Sequence, residues 1–78
     1  MKIKIKYFGM IAEWTDASTE SFETTGNTVG DLAVQLQEVV PELGKISFQI
    51  AVNQSIASQE MELNENDEVA VLPPFAGG

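Results

Sequence analysis

The first stretch of the chain, Lys2-Ile3-Lys4-Ile5-Lys6-Tyr7, alternates strictly between charged and apolar positions. Ile3, Ile5 and Tyr7 fall on one side of an extended chain and the three lysines on the other, which predicts a half-buried strand. Phe8 then lands on the lysine side, where an apolar ring is out of pattern, and Gly9 breaks the run. Residues 10–17 are ambiguous. Met10, Ile11 and Trp14 share one helical turn, which suits a short helix or a loop. Residues 19–25 read as a second strand, with Phe22 as the main apolar side chain and threonines supplying β propensity.

Gly26-Asn27-Thr28 is punctuation. Thr28 can cap a helix, and Asp31 three residues on stands where a capping box usually has Glu. A negative charge in the first turn also suits the helix dipole. Val29, Leu32, Ala33, Leu36, Val39 and Val40 recur on one face at helical spacing. Pro41 disfavours helical geometry at Val40, so the predicted helix runs from Val29 to about Val39. Residues 47–53 alternate again, sending Ile46, Phe48, Ile50 and Val52 toward a core. Asn53-Gln54 reads as a turn, residues 55–57 as a short extended piece, and residues 64–67 as a polar turn. Glu68-Val69-Ala70-Val71-Leu72 is the last strand, ended by Pro73-Pro74 because proline donates no ladder hydrogen bond.

The order is strand, strand, helix, strand, short strand, strand. One amphipathic helix must then cover one face of a mixed sheet. A hairpin, a right-handed crossover and a last strand beside the first give an α+β fold of the β-grasp, or ubiquitin-like, type. Residues 1–74 make the domain, and residues 75–78 a flexible Gly-Gly tail. A chain of 78 residues buries only roughly 60–65% of its unfolded surface, which leaves no room for a deep substrate cavity beside the core. That favours a carrier or binding module over a self-sufficient enzyme.

Cysteine and histidine are absent, which removes thiol nucleophiles, thiolate metal sites and imidazole bases. No metal site is expected. Twelve acids against four lysines give a net charge of -8. Such a surface repels nucleic acid and anionic lipid and draws a basic protein partner, if it does more than keep the chain soluble. No segment is apolar enough to span a membrane, and the lysines at the start precede no signal-peptide stretch. The expectation is a cytoplasmic protein that contacts neither nucleic acid nor membrane.

The end of the chain, Leu72-Pro73-Pro74-Phe75-Ala76-Gly77-Gly78, carries the candidate chemistry. A terminal diglycine presents a carboxylate on backbone without side chains, free to enter a narrow site on another protein. Pro73, Pro74 and Phe75 read as a stiff apolar neck that docks in a partner groove. If the first and last strands pair in parallel, Phe8, Ala70 and Leu72 form an apolar patch on the exposed sheet face. In the other arrangement Leu72 is core and the 10–14 segment covers Phe8. Lys2, Lys4 and Lys6 read as a solvated face that discourages edge pairing, or as a hold on a carboxylate-rich partner segment. Residues 64–68 have a calcium-loop composition without its glycine and terminal glutamate, so they read as a turn. Glu60 and Glu62 read as exposed.

These landmarks resemble the MoaD family of sulfur carriers, the small subunits of molybdopterin synthases. The resemblance spans essentially the whole chain. It rests on Lys6-Tyr7-Phe8-Gly9, Thr28-Val29-Gly30-Asp31-Leu32, Ala51-Val52-Asn53-Gln54 and above all the stretch from Asp67 to Gly78. It implies that an E1-like, ATP-dependent enzyme adenylates the Gly78 carboxylate and that sulfur then replaces one oxygen to give a thiocarboxylate. It implies that Gly77 and Ala76 insert with Gly78 into a large catalytic subunit, and that sulfur passes to cyclic pyranopterin monophosphate. The assembly would be a heterotetramer in which this chain binds no cofactor of its own and ATP serves the activating enzyme. Sulfur carriers of thiamine thiazole synthesis and ubiquitin-like protein modifiers share the tail and stand as alternatives.

Overall fold

A computed structural model describes residues 1–15 and 18–74. The alternating opening forms β1 (Lys2–Tyr7), with Ile3, Ile5 and Tyr7 buried and the lysines exposed. A short α1 (Met10–Trp14) follows, which resolves the ambiguous stretch as a helix; Asp16 and Ala17 lie outside the described residues. The remaining elements are β2 (Thr19–Glu23), α2 (Val29–Val39), a 3₁₀ turn (Pro41–Lys45), β3 (Gln49–Val52), β4 (Ser55–Ile56) and β5 (Glu68–Leu72).

The five strands form one sheet in the order β2-β1-β5-β3-β4. β1 pairs antiparallel with β2 and parallel with β5, and β3 pairs antiparallel with β5 and with β4. The last strand thus lies beside the first, in the middle of the sheet. Ile3, Ile5, Val69 and Val71 from these two strands join Ile11, Leu32, Leu36 and Leu43 in a single apolar cluster. Full burial of a side chain of this size contributes about 1.5–3 kcal/mol.

The α2 start bears out the capping reading. Asp31 N–H donates to Thr28 Oγ1 (3.2 Å), and the Thr28 N–H donates back to Asp31 Oδ2 (3.4 Å). Asn27 N–H also donates to Asp31 Oδ2 (3.2 Å), so the shorter acid does the work of Glu. A Cβ on Gly26 would collide with the Asp31 side chain, which explains the glycine there.

Four details differ from the sequence reading. β2 stops at Glu23 rather than Thr25, because Glu23 is level with Lys2, where β1 begins. β3 starts at Gln49 rather than residue 47, because Gln49 is level with Leu72, where β5 gives way to Pro73. Val39 is 62% exposed instead of sharing the apolar face. It sits about 70° from the centre of the stripe at 3.6 residues per turn. Beyond α2 the chain does not simply stop at Pro41, since the 3₁₀ turn carries Leu43 into full burial.

The β3–β4 connection is a two-residue turn with Asn53 at φ 50° and Gln54 at φ 75°. Both positive values mark the type I′ geometry that matches strand twist. Asn53 also joins the turn to β5. Its N–H donates to the Glu68 carbonyl (2.7 Å), its Oδ1 accepts from Glu68 N–H (3.1 Å), and its Nδ2 donates to Asp67 Oδ1 (3.1 Å). Asp67, largely buried, accepts a further bond from Asn64 N–H (2.8 Å). The polar turn at residues 64–67 is therefore held from inside, with Asn66 at φ 68° donating its N–H to the Lys2 carbonyl (2.8 Å).

Candidate functional site: the open sheet face and the neck of the tail

α2 covers one face of the sheet and leaves the other to solvent. On β1 the open face carries Lys2, Lys4 and Lys6, and Phe8 continues the same side. On β5 it carries Glu68, Ala70 and Leu72. The parallel register sets Lys4 level with Glu68 and Lys6 level with Ala70, which brings Phe8 alongside Leu72. β3 places Gln49 beside Leu72 and Ala51 beside Ala70, and Ile56 of β4 is level with Ala51.

An apolar band therefore crosses the open face, from Phe8 and Leu72 over the small side chains of Ala70 and Ala51 to Ile56. Phe8 is 44% exposed and Ile56 60%. The reading in which α1 covers Phe8 and Leu72 enters the core does not hold, since Val69 and Val71 are the buried residues of β5 and Leu72 is half-buried. Within the band Phe8 and Ile56 are exposed, Ala70 and Leu72 are half-buried and Ala51 is buried, and exposed apolar side chains beside a strand end have the make-up of an interaction surface.

Pro73 and Pro74 continue from β5 at the Phe8 end of this band. Gly9 has φ 58°, which favours glycine, and a Cβ there would sit 3.0 Å from Pro73 Cγ. The Phe8 N–H donates to the Val71 carbonyl (3.3 Å). Two sequence landmarks far apart in the chain thus meet, and Gly9 forms the seat of the neck. Phe75, Ala76, Gly77 and Gly78, the sequence-based candidates for docking, insertion and reaction, lie outside the described residues.

Ala51 and Ile56 belong to the band but were not among the sequence candidates. The signal for Ala51 was present: it alternates against the core-facing Ile50 and Val52 on a strand bounded by turns. For Ile56 there was none, because a two-residue strand has no period to read.

Elsewhere the surface offers little chemistry. A groove of about 440 Å³ runs between α2 and the segments around β3 and β4, lined by residues such as Val29, Ala33, Phe48 and Ile50. Its lining contains no ionisable side chain, so it holds neither a general acid nor a general base. Among the described residues, no three acidic side chains come together to hold a metal ion, and no helix is long and apolar enough to cross a membrane.

Tyr7, at the end of β1, is moved far from its ordinary range. Burial pushes its phenol up, and the nearby Glu20 carboxylate adds to the shift. Its hydroxyl is buried and makes no hydrogen bond among the described residues. The neutral phenol is therefore favoured by folding. Above pH about 10, the unfolded chain ionises at Tyr7 while the folded one does not, and stability falls by up to about 1.4 kcal/mol per pH unit. Tyr7→Phe should remove this alkaline loss while leaving stability at pH 7 equal or higher, because no hydrogen bond is given up. Urea unfolding from pH 7 to 11 measures both effects; an unchanged alkaline slope in the variant would assign it to another group.

The ThiS family model matches residues 5–78. The chain belongs to the ThiS/MoaD family. It is 40% identical to a molybdopterin synthase sulfur carrier subunit of Mycobacterium tuberculosis, over all of this chain and 99% of that protein. Its fold is similar to that of a Pyrococcus furiosus protein described as a candidate subunit 1 of molybdopterin converting factor. That pair has a TM-score of 0.85 at 27% identity, covering 95% of this chain and 98% of the other. A further match is a chain of the complex between subunits 1 and 2 of molybdopterin-converting factor from Helicobacter pylori. It has a TM-score of 0.68 and 26% identity over the full length of both chains. The β-grasp expectation holds for this ThiS/MoaD chain.

Proposed function

We propose that this chain is a sulfur carrier for molybdopterin synthesis, with the Gly78 carboxylate as its working group. The observation that carries the reading is the full-length likeness to a molybdopterin synthase sulfur carrier subunit, joined to a diglycine end in this sequence. An ionised carboxylate, with an ordinary pKa of about 3.3–3.7, is a poor electrophile at neutral pH. An E1-like activating enzyme solves this by joining it to the adenylyl group of ATP, with release of pyrophosphate. A sulfur donor then displaces AMP and leaves a thiocarboxylate. This anionic sulfur needs no cysteine, and the chain has none.

The partner of this reading is the large, catalytic subunit of molybdopterin synthase, a reading supported by the likeness to a chain from a complex of subunits 1 and 2 of molybdopterin-converting factor. The band from Phe8 to Ile56 seats against it, the neck of Pro73, Pro74 and Phe75 docks at its groove, and Ala76, Gly77 and Gly78 reach its active centre. Acid–base and oxyanion groups come from that subunit, and this chain supplies the reacting atom and its placement. Sulfur then passes to cyclic pyranopterin monophosphate.

The test is an intact mass spectrum after incubation with ATP, a sulfur source and the cognate activating enzyme. A gain equal to exchange of one oxygen for one sulfur, localised to the C-terminal peptide, is the expected result. Loss of the reading would follow if the large subunit turned over substrate with this chain and no such gain appeared. Transfer of the sulfur to a thiazole synthase instead of the large subunit would place the chain in thiamine synthesis.

A further inference from the structure

Three of the four lysines in this acidic chain stand in one row. Lys2, Lys4 and Lys6 all project from β1 onto the open face, and all are exposed. Alternate residues of a strand repeat about every 6.6–6.8 Å, so the row is an evenly spaced line of ammonium groups. Protection of a sheet edge does not explain it. β1 is an interior strand, paired with β2 on one side and β5 on the other, and has no free edge to guard.

Close ion pairing does not explain it either, although Glu68 is level with Lys4 and the Glu65 carboxylate accepts from the Lys2 N–H (3.0 Å). Glu23, level with Lys2, is engaged by the Met1 ammonium at 3.0 Å. Lys4 has Ser21 on one side and Glu68 on the other, and Lys6 is flanked by Thr19 and Ala70. Among the described residues, no lysine ammonium reaches a carboxylate within 4.0 Å. Among the described residues the row therefore makes no ion pair, on a protein of net charge -8. It also runs straight into Phe8, next to the strand from which the neck departs.

We propose that the protein surface seated against this face carries a strip of carboxylates matched to Lys2, Lys4 and Lys6, beside an apolar strip that takes Phe8 and Leu72. This rests on the reading above, in which the large subunit of the synthase is the partner. The contact is local. At long range the acidic chain repels an acidic partner, and only within about a Debye length, ~8–10 Å, does the row determine the sign of the interaction. The row fixes the sideways register of docking, and with it the direction in which the tail enters.

The sign of one measurement decides the matter. Lys2, Lys4 and Lys6 are changed together to Gln, and binding to the cognate large subunit is measured at low and at physiological ionic strength. Lys45→Gln serves as a control with one charge removed off this face. The triple variant should bind about tenfold more weakly at low salt and lose most of its salt dependence. The triple Arg variant should keep wild-type affinity, and Lys45→Gln should change it less than about twofold. Because the variant is more acidic overall, a basic docking surface would instead bind it more tightly. Tighter or unchanged binding overturns the proposal. Should the triple variant fail to fold, Lys6→Gln and Lys6→Arg carry the same comparison with a smaller effect. Failure of the wild-type chain to bind the large subunit would refute the partner and this inference together. Normal wild-type binding with no lysine effect refutes the inference alone.

Discussion

Removal of Gly78 should abolish sulfur transfer and leave the melting temperature unchanged. Among the described residues, the buried cluster and the hydrogen bonds that hold the sheet lie at or before Leu72. Extension is the sharper version. One added residue moves the terminal carboxylate by about 3.3–3.6 Å along an extended chain. Misplacement of a reacting atom by about 1 Å can already cost 100-fold in rate. An activating enzyme and a catalytic subunit that both read the chain end should therefore reject the extended protein outright. Adenylate formation, sulfur incorporation and product formation can be followed separately for each variant. Full activity from an extended, uncleaved chain would remove the carboxylate from the mechanism altogether.

Asn53→Ala should cost about 2–4 kcal/mol, the sum of two lost hydrogen bonds and a strained turn. The side chain donates to the Asp67 carboxylate and accepts from the Glu68 N–H, so its removal leaves a largely buried carboxylate short of a donor. Alanine at φ 50° adds a backbone penalty that glycine does not. Asn53→Gly therefore isolates the hydrogen bonds, and the difference between the two variants measures the turn. A domain of this length has about 4–12 kcal/mol of stability in all, so the alanine variant should melt many degrees lower. Equal melting temperatures for the two variants would mean that the turn relaxes to accommodate alanine.

The Asn53 result also explains which motifs were legible and why. Ala51-Val52-Asn53-Gln54 and the stretch from Asp67 both stood out in the sequence, but as marks of a family rather than as a physical unit. In the fold they are bonded to each other, so Asn53 serves architecture rather than docking. Patterns set by local rules were readable: the alternation of β1, the Thr28–Asp31 cap, the stop at Pro73. What depended on register was not. Whether Phe8 was covered or open turned on the pairing of β1 with β5, and Ile56 joined the band only through its place opposite Ala51. Leu43 was hidden for another reason, since a proline that ends one helix also opened the 3₁₀ turn that buries it.

The central place of β5 has a mechanical side. A partner that grips the neck pulls on a strand bonded along both flanks, to β1 and to β3. Force along the strand axis loads those two ladders in shear, so that many bonds must give way together. An edge strand such as β4 would instead peel one bond at a time. If the neck is the handle that the proposed partner grips, it is fastened to a strand bonded on both flanks.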